Sequence, residues 1–474
     1  MRATYLGHST YLVETRQGVR ILIDPVITDR FQAGFAEVFP AREIDFNRLF
    51  PVDLVILTHS HPGHLELESL SLIDRNTPIV HMTDPTVLTA LENLGFNERS
   101  PIEWNDVMSI DDVEILFTPS AHGRREVGIV FKTSSGVIWH MVDSEPSSRE
   151  IEAIKEWAGR IDFLIWNYPG NNHRFFTQMS TAFPHTKHAE FLLTLRQIQP
   201  TMLYVNLSGF RYHGKNSWVN NFMFPVDVEL LNDQLPEVLP QAKYVALLPG
   251  DVIQFVDLDR EIVQRGASSL VQSIQLEDEY GQIFDPTNGV PPLEDSNPEN
   301  LPPRVLQECV DQFVTSKFLP WLHVKVQDKT HPIFEYGQLN LRFGLTVHYP
   351  DKSVEHRLIK INKNAVELTN SFELPPAQMR MRITASGLHR WAEGVIPYYA
   401  AYFETRSHST LHRVLTSIRD KHCSVNDLSP SRYMTGDTVL DGRDPISIYM
   451  NESVDRTFNK WIRTQAKSLA EIVQ

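Results

Sequence analysis

Cysteine is scarce in this sequence of 474 residues, which contains only Cys309 and Cys423. Two cysteines are too few for a disulfide framework, a four-cysteine zinc site or an ordinary four-cysteine iron–sulfur cluster. Any metal site must therefore be built from histidine and carboxylate side chains. The 19 histidines supply candidates for such a site without establishing one.

Positive charge is also in short supply, and long apolar runs are missing. The chain has 44 Lys and Arg against 59 Asp and Glu, a formal net charge of −15. This field repels a phosphate backbone, so nucleic acid is not an expected partner. No run approaches the roughly 18 apolar residues of a membrane span, and the N-terminal residues lead into a strand pattern rather than a signal peptide. We expect no membrane partner and a cytoplasmic location.

Residues 1–262 alternate short β-rich runs with amphipathic stretches, which predicts a layered α/β domain. The predicted strands are Thr10–Glu14, Arg20–Asp24, Asp53–Leu57, Val113–Phe117, Val127–Phe131 and Val137–Val142. The predicted helices are Pro85–Leu94, Arg149–Trp157 and Thr186–Ile198. These helices are expected to cover the sheets.

The second part of the chain begins beyond a stretch with linker composition. Residues 281–303 contain six prolines and an Asn-Gly turn, and residues 263–303 are predicted to be a linker. Residues 304–474 are predicted to form a smaller α+β domain. Its expected elements are a helix at Pro303–Ser316, strands at Leu322–Val326, Gln338–His348 and Arg357–Ile361, and a C-terminal docking helix.

The most informative segment follows the apolar strand Asp53–Leu57 and reads Thr58-His59-Ser60-His61-Pro62-Gly63-His64. A strand delivers residues i and i+2 to the same side, so His59 and His61 can both face one cation. The turn after them lets His64 reach a neighbouring position. Three histidines at the end of a buried strand therefore predict a metal site.

This segment resembles the H-x-H-x-D-H motif of the metallo-β-lactamase superfamily. Other segments match the same superfamily in order: Tyr5-Leu-Gly-His8-Ser, Ile21-Leu-Ile-Asp24-Pro, Ser120-Ala-His122-Gly and Met141-Val-Asp143-Ser. The resemblance implies an αββα sandwich. It also implies two metal positions. The implied ligands are His59, His61 and His122 for the first metal, His64 for the second, and Asp143 as a bridge.

Two departures from the superfamily pattern concern the second metal. Gly63 stands where the motif has Asp, and Asn206 follows the strand Thr201–Val205, where a final metal-binding His is expected. The alternatives are a single metal, a second metal held by other side chains, or a site without metal. The candidates for replacement ligands are Glu66, Asn206, His213, His185, His188 and Tyr168. Asp24 is expected to support a ligand His by a hydrogen bond, and His8 is expected to be structural or supporting.

A looser resemblance links Asn206–Asn221 and Leu247–Asp251 to superfamily members related to CMP-N-acetylneuraminate hydroxylase. Those enzymes carry a Rieske module, but nothing around the two cysteines resembles one. An oxygenase would therefore need an external electron donor. Residues Met379–Gly394 weakly resemble sterol-carrier-like domains, which build apolar grooves. The C-terminal domain is expected either to form such a groove, which would favour a substrate with an apolar portion, or to support a homodimer.

Three functions are compatible with these residues. The first is a non-haem iron oxygenase that hydroxylates a small molecule with one or two Fe ions, because imidazole and carboxylate ligands suit iron. The second is a hydrolase of esters, lactones or phosphoesters that uses zinc or another divalent metal. The third is a non-catalytic metal-binding or scaffold protein, which a site without metal would imply. Asp143 and Tyr168 are the predicted catalytic residues, and the oxygenase is the leading hypothesis.

Overall fold

Short, mostly buried strands build the N-terminal part of the chain in the computed structural model. The structure describes residues 1–120, 125–170, 183–207, 209–255, 262–274, 285, 287, 290–371, 373–374, 376–409, 445–452 and 454–473. The chain divides into two compact units. Most of the first unit lies in Met1–Asn172 and Phe183–Asn288, and most of the second lies in Gly289–Trp461.

The described strands of the first unit form two large sheets and two small ones. In chain order they are β1 (Arg2–Gly7), β2 (Thr10–Glu14), β3 (Arg20–Ile23), β4 (Arg30–Phe31), β5 (Ala36–Val38), β6 (Arg42–Ile44), β7 (Leu54–Leu57), β8 (Ile79–Met82), β9 (Arg99–Ile102), β10 (Val107–Ile110), β11 (Val113–Thr118), β12 (Gly128–Thr133), β13 (Gly136–His140), β14 (Phe163–Asn167), β15 (Met202–Asn206), β16 (Phe210–Tyr212), β17 (Lys243–Tyr244), β18 (Val252–Gln254), β19 (Val263–Gln264) and β20 (Val271–Ser273).

The first large sheet has the order β19-β18-β1-β2-β3-β7-β8-β9, and the second has the order β10-β11-β12-β13-β14-β15-β17. Each sheet joins an antiparallel part to a parallel part. Strands β3, β7, β8 and β9 are parallel in the first sheet, as are β13, β14, β15 and β17 in the second. Parallel strands end at the same edge of a sheet, so the residues after β3 and β7, and those after β13, β14 and β15, are brought together.

Alternate residues of the strands pack on opposite faces, as the twofold repeat of a strand requires. In β14, Phe163 and Ile165 enter the core shared by the two sheets, together with Tyr5 and Ile56 of the first sheet. The intervening Leu164 and Trp166 pack instead in a second apolar cluster, whose other members come from neighbouring strands of the same sheet and from helices. The second sheet is therefore covered on both faces.

The helices of the first unit are α1 (Phe46–Leu49), α2 (Leu67–Ser71), α3 (Pro85–Leu94), α4 (Ser148–Ala158), α5 (His185–Ile198), α6 (Asn220–Met223) and α7 (Val228–Val238). Local sequence explains their ends. Asp84 caps α3, which begins at Pro85 and stops before Gly95 in the left-handed conformation. Ser147 and Glu150 form a capping box at the start of α4. The predicted helices at these two places and at Thr186–Ile198 are confirmed to within a residue at each end.

The second unit contains an antiparallel sheet with one parallel pair. Its strands are β21 (Leu341–His348), β22 (Val354–Ile361), β23 (Val366–Ser371), β24 (Met379–Thr384) and β25 (Thr405–Ser409), in the order β23-β22-β21-β24-β25. Its helices are α8 (Pro303–Phe313), α9 (Leu319–Lys325), α10 (Pro332–Gln338), α11 (Ala385–Ala392), α12 (Tyr398–Ala401) and α13 (Pro445–Glu452), and α14 (Val454–Val473) follows. The predicted fold class, a layered α/β part with a smaller α+β part, is confirmed.

One predicted strand of the second unit is wrong. Leu322–Val326 alternates apolar and polar residues, but Leu319–Lys325 is helical, with Pro320 in its first turn. A run of five residues is too short for its periodicity to separate helix from strand. Pro is tolerated in the first turn of a helix, where the backbone N–H has no helical partner.

The predicted linker 263–303 includes β19 and β20, which pair with β18 and β6 of the first unit. The domain limits derived from the sequence stay a prediction. Among the described residues, every helix is too short or too polar to cross a membrane.

Candidate metal centre

The predicted histidines converge on one carboxylate oxygen where β7 and β13 end. Oδ2 of Asp143 lies 3.4 Å from Nε2 of His59, 3.6 Å from Nδ1 of His61 and 3.4 Å from Nε2 of His64. One ligand atom from each of His59, His61 and Asp143 lies within 4.8 Å of the others. His59 and His64 are buried, whereas His61 and Asp143 are partly exposed. The centre therefore has a buried side, formed by His59 and His64, and a partly exposed side, formed by His61 and Asp143.

Asp24 orients the imidazoles of His59 and His64 through hydrogen bonds to the ring nitrogen that faces away from Asp143, directly for His64 and through Thr58 for His59. Thr58 donates to Asp24 twice, from the backbone N to Oδ1 over 2.8 Å and from Oγ1 to Oδ2 over 2.6 Å. Because the Thr58 hydroxyl donates its one hydrogen to Asp24, its oxygen accepts from Nδ1 of His59 at 2.9 Å. His64 donates directly from Nδ1 to Oδ2 of Asp24 over 2.8 Å. Both rings therefore turn Nε2 toward Asp143, and the hydrogen bond expected from Asp24 to one of these histidines is present.

Asp143 is held from its other side. Asn167, the last residue of β14, donates from Nδ2 to Oδ1 of Asp143 over 2.8 Å. The same amide group lies 2.9 Å from Oγ of Ser9, and its oxygen accepts from Nδ2 of Asn206 over 2.9 Å. Oδ1 is thus anchored by the protein, and Oδ2 is left to face the imidazoles.

The electrostatics favour a neutral His59 and a protonated His64 beside the anionic carboxylate of Asp143. Burial, followed by the neighbouring His64 and His61, lowers the pKa of His59 to about 3. Burial also acts to lower the pKa of His64, but the carboxylates of Asp143 and Asp24 outweigh it and raise this pKa to about 10. Burial would raise the pKa of Asp143, yet His64 and the facing imidazoles hold it well below its usual range.

These donors fit a transition-metal cation. Metal binding requires deprotonated ligands, and His59 is neutral with its Nε2 lone pair toward the cluster. Imidazole nitrogen and carboxylate oxygen are the ligands of catalytic zinc and of non-haem iron. The hydrogen bond from the second ring nitrogen of each of His59 and His64 is also the arrangement that fixes metal-binding histidines in proteins.

Comparison with known proteins supports the fold of this part of the chain. Residues 19–205 match the model of the Beta-lactamase superfamily domain. Over these residues the chain is similar to that domain. The resemblance inferred from the sequence is thereby confirmed, together with the sandwich fold that it implied.

Relatives of the superfamily domain differ in their described chemistry. A "UPF0173 metal-dependent hydrolase" of Ignicoccus hospitalis is 28% identical over 153 residues, which is 30% of this chain and 61% of the relative. A "Putative Rieske 2Fe-2S iron-sulfur protein" of Mycolicibacterium smegmatis is 25% identical over 185 residues, 36% of this chain and 34% of the relative. The chain therefore spans less than two thirds of these relatives.

Among solved structures, the diiron β-hydroxylase CmlA of Streptomyces venezuelae is similar to this chain. The sequence identity is 15%, the TM-score is 0.36, and the match covers 52% of this chain and 53% of CmlA. Nothing about activity follows from a likeness of this size.

The structure brings together most of the residues predicted for the centre of the superfamily domain. His59, His61, His64 and Asp143 share one cluster. His122, the predicted third ligand of the first metal, lies outside the described residues, and its role stays a prediction.

Tyr168, the other predicted catalytic residue, is directed elsewhere. Its ring packs among the side chains between the second sheet and the helices. Its hydroxyl lies 2.9 Å from Nδ1 of His188, whose Nε2 is 2.7 Å from Oε1 of Gln234. Burial raises the pKa of Tyr168 above its usual value. These contacts describe a buried structural network, and none of them leads to Asp143.

The proposed replacement ligands other than His185 are occupied by other contacts. Glu66 caps α2 by accepting from the backbone N of Glu68 and of Ser69. Nδ1 of His213 lies 2.8 Å from Oε2 of Glu37. His188 belongs to the network of Tyr168, and the amide of Asn206 donates to Asn167 and to the backbone oxygen of His8. His185 is exposed at the start of α5.

The sequence did not reveal Asn167 or the backbone around the centre. A signal for Asn167 was available, because the twofold repeat of Phe163–Asn167 places Asn167 and Tyr168 on opposite faces. Val142, directly before Asp143, has φ of 56°, and His8 and Asp24 have φ of 52° and 42°. The left-handed region is costly for a β-branched residue such as Val142, and such strain gathers at functional sites.

Proposed function

We propose that this protein is a metal-dependent enzyme, and that its leading function is that of a non-haem iron oxygenase that hydroxylates a small molecule. The observation that carries the proposal is the set of two imidazoles and one carboxylate formed by His59, His61 and Asp143. This set is the one by which many non-haem Fe(II) oxygenases bind their metal while leaving positions open. His122 is the further ligand expected from the superfamily pattern.

Each residue has a separate task in this proposal. His59 and His61 would hold the first metal. Asp143 would contribute a carboxylate oxygen, since its Oδ2 lies 3.4 Å from Nε2 of His59 and 3.4 Å from Nε2 of His64. Asp24 and Thr58 keep the ring of His59 in the tautomer that presents Nε2. When bound, iron would supply the activation of O2 with electrons from an outside donor.

The need for an outside donor follows from the sequence, because nothing around Cys309 or Cys423 resembles the paired Cys and His motifs of a Rieske centre. Two cysteines cannot furnish an ordinary four-cysteine iron–sulfur cluster. The mycobacterial relative described as a Rieske protein supports an electron-transfer protein as the partner. The reaction would insert one oxygen atom of O2 into the substrate and reduce the other to water with two electrons and two protons.

Metal analysis and oxygen uptake test this proposal. We expect full-length protein produced in iron-rich medium to retain iron and to consume O2 only when a reductant is added. His59→Ala combined with His61→Ala should abolish iron binding. Retention of the wild-type metal content by this double variant would show that the ligand assignment is wrong.

The second candidate is a metal-dependent hydrolase, favoured by the match to the archaeal hydrolase over 61% of that relative. The same imidazole and carboxylate ligands suit catalytic zinc, which lowers the pKa of a bound water. Zinc in the isolated protein, with turnover of ester or lactone substrates in the absence of O2, would favour this candidate. Protein that binds no metal at all would leave only the scaffold hypothesis.

A further inference from the structure

The backbone of Asp24 has an unusual conformation where β3 ends. Asp24 has φ of 42°, which is uncommon for a residue other than glycine, and Pro25 follows it. The residue is fully buried, and its carboxylate accepts hydrogen bonds from Thr58 and His64. The direction of this carboxylate depends on the backbone that carries it. The orientation of the imidazoles therefore depends on what holds residues 24–28, which we call the Asp24 loop.

Thr10 of β2 closes the first turn of the Asp24 loop. Its hydroxyl donates to the backbone oxygen of Asp24 over 2.7 Å and accepts from the backbone N of Val26 over 2.9 Å. Pro25 contributes no backbone N–H to this turn, and the buried hydroxyl supplies a donor instead. The backbone N of Asp24 donates to the backbone oxygen of Ile56 over 3.0 Å. The backbone of Asp24 is thereby fixed through its N–H and through its oxygen.

Arg42 of β6 binds the same loop through a different pair of backbone atoms. Its Nη2 donates to the backbone oxygen of Val26 over 2.5 Å and lies 3.4 Å from that of Thr28. The residue is 3% exposed, and burial lowers the pKa of its guanidinium to about 10, so the group stays protonated near neutral pH. A buried charge is costly unless hydrogen bonds compensate it, and the carbonyl oxygens of the loop supply that compensation. The cation and the Asp24 loop therefore hold each other in place.

The end of β1 leaves room for the side chain of Arg42. A Cβ atom built on Gly7 would lie 3.1 Å from Nη1 and 3.2 Å from Cδ of Arg42, and Gly7 has φ of 104°. Glycine meets both requirements, because it has no Cβ and adopts positive φ readily. A larger residue at position 7 would displace Arg42 from the Asp24 loop.

Ser69 of α2 binds the remainder of the Asp24 loop. Its hydroxyl oxygen accepts from the backbone N of Ile27 over 2.9 Å and from that of Thr28 over 3.3 Å. Glu66 fixes Ser69 in turn by accepting from its backbone N over 2.6 Å. Both Glu66 and Ser69 are buried. Glu66, which the sequence offered as a replacement metal ligand, therefore helps to hold the Asp24 loop.

We propose that three side chains, those of Thr10, Arg42 and Ser69, are positioning residues of the metal centre. They act on metal binding through the backbone and the carboxylate of Asp24. Each of the three holds the backbone of the Asp24 loop, and the contacts then pass through the carboxylate to the imidazoles. The inference rests on the proposed metal centre and adds to it residues from β2, β6 and α2 that are not metal ligands.

Zinc titration of the full-length, metal-free protein tests this role. Thr10→Val removes the hydroxyl but keeps the branched shape, and Arg42→Met removes the guanidinium. We expect each variant to bind zinc about tenfold more weakly than the wild type does. Thr10→Ser retains the hydroxyl and should restore the wild-type affinity. Unchanged zinc affinity in Thr10→Val or in Arg42→Met would overturn the role of the residue concerned.

Two matched variants control for the loss of a buried side chain. Thr4→Val removes a buried hydroxyl on β1 that has no hydrogen-bond partner among the described residues. Arg406→Met removes a buried guanidinium of the second unit that donates to the backbone oxygens of Phe403 and Thr405. Both should bind zinc as the wild type does. An equal loss of affinity in these controls would reveal a general loss of stability and would contradict the proposal.

The route through Asp24 is tested by combining variants. In an Asp24→Ala background, Thr10→Val and Arg42→Met should not weaken zinc binding further, because the carboxylate on which they act is gone. Losses of affinity that multiply would show that the two residues act by another route, which would overturn the proposal. A wild type that binds no zinc would instead overturn the metal centre itself.

Ser69→Ala covers the case in which Thr10→Val or Arg42→Met does not fold. It removes one hydroxyl from α2 and leaves Thr10 and Arg42 in place. We expect zinc binding to weaken about threefold, and only when Asp24 is present. Circular dichroism establishes that the variant is folded. Unchanged zinc affinity in folded Ser69→Ala would overturn the proposal.

Discussion

Asn167 holds Asp143 by a hydrogen bond of 2.8 Å from its Nδ2 to the carboxylate Oδ1. The carboxylate has two oxygens, and this contact decides which one faces the imidazoles. Asn206 donates in turn to the oxygen of Asn167, so neighbouring parallel strands fix one another's last residue. The orientation of Asp143 is thereby set by the ends of β14 and β15.

Asn167→Ala should weaken metal binding without removing a metal ligand. Asp143 would lose the donor that orients it, and loss of such a partner typically costs about 10- to 100-fold in metal affinity. The measurement is a zinc or iron titration of the metal-free protein. Asn97→Ala is the matched control, because Asn97 also donates to a side chain but on the exposed surface. Equal affinities for the two variants would contradict the orienting role of Asn167.

The tautomer of His59 depends on a hydroxyl group. Thr58→Val keeps the branched side chain but removes the group that links Asp24 to Nδ1 of His59. We expect metal affinity to fall by about 10- to 100-fold, and stability to fall by about 1–2 kcal/mol because Asp24 loses a buried donor. Metal titration and chemical denaturation measure the two effects. Thr58→Ser retains the hydroxyl and should bind metal as the wild type does; a loss of binding in the Ser variant would point to packing instead.

Tyr168 should contribute to stability and not to metal binding. Its hydroxyl is paired with His188, so Tyr168→Phe leaves a buried imidazole nitrogen without its partner. The expected cost is about 1–2 kcal/mol in the free energy of unfolding, with unchanged metal affinity. Denaturation and metal titration of the same preparation check both statements. Weaker metal binding by Tyr168→Phe would instead support the role at the metal centre that the sequence predicted for Tyr168.

The sequence predicted the ligand cluster because its signal is local. His59, His61 and His64 follow one buried strand, and Asp143 follows another, so strand periodicity and the superfamily pattern were sufficient. The contact of Asn167 with Asp143 could not be predicted in this way, because it depends on which face of β14 meets the end of β13. That choice depends on the register between parallel strands, which no single segment encodes.

The backbone conformations at the centre could not be predicted for a physical reason. Valine favours extended structure, yet Val142 has φ of 56° immediately before Asp143. Tertiary packing overrides the local preference here, since Val142 is fully buried. A Cβ atom built on Gly63 would lie 2.6 Å from Nε2 of His8, and this close approach also joins residues far apart in the chain. The sequence showed an absent ligand at position 63, but not the ring that fills the space.

A buried histidine outside the ligand cluster should make the protein sensitive to acid. His140 is 1% exposed, neither of its ring nitrogens has a hydrogen-bond partner among the residues that the structure describes, and burial lowers its pKa to about 3. In the unfolded chain its pKa is about 6.5, so between these values the unfolded state binds a proton that the native state does not. Its contribution to stability is therefore complete above pH 6.5 and declines on acidification, by up to about 1.4 kcal/mol per pH unit.

His140→Met should flatten this dependence, because methionine fills the apolar site without titrating. The measurement is the free energy of unfolding of metal-free protein by urea at pH 7.5 and at pH 5.0. Other titrating groups are common to both proteins, so the difference between the two pH slopes isolates His140. We expect the wild type to lose about 1–2 kcal/mol more than the variant over this interval. Parallel pH profiles would mean that His140 takes up its proton in the native state, and that its surroundings are more polar than the packing against Tyr11 indicates.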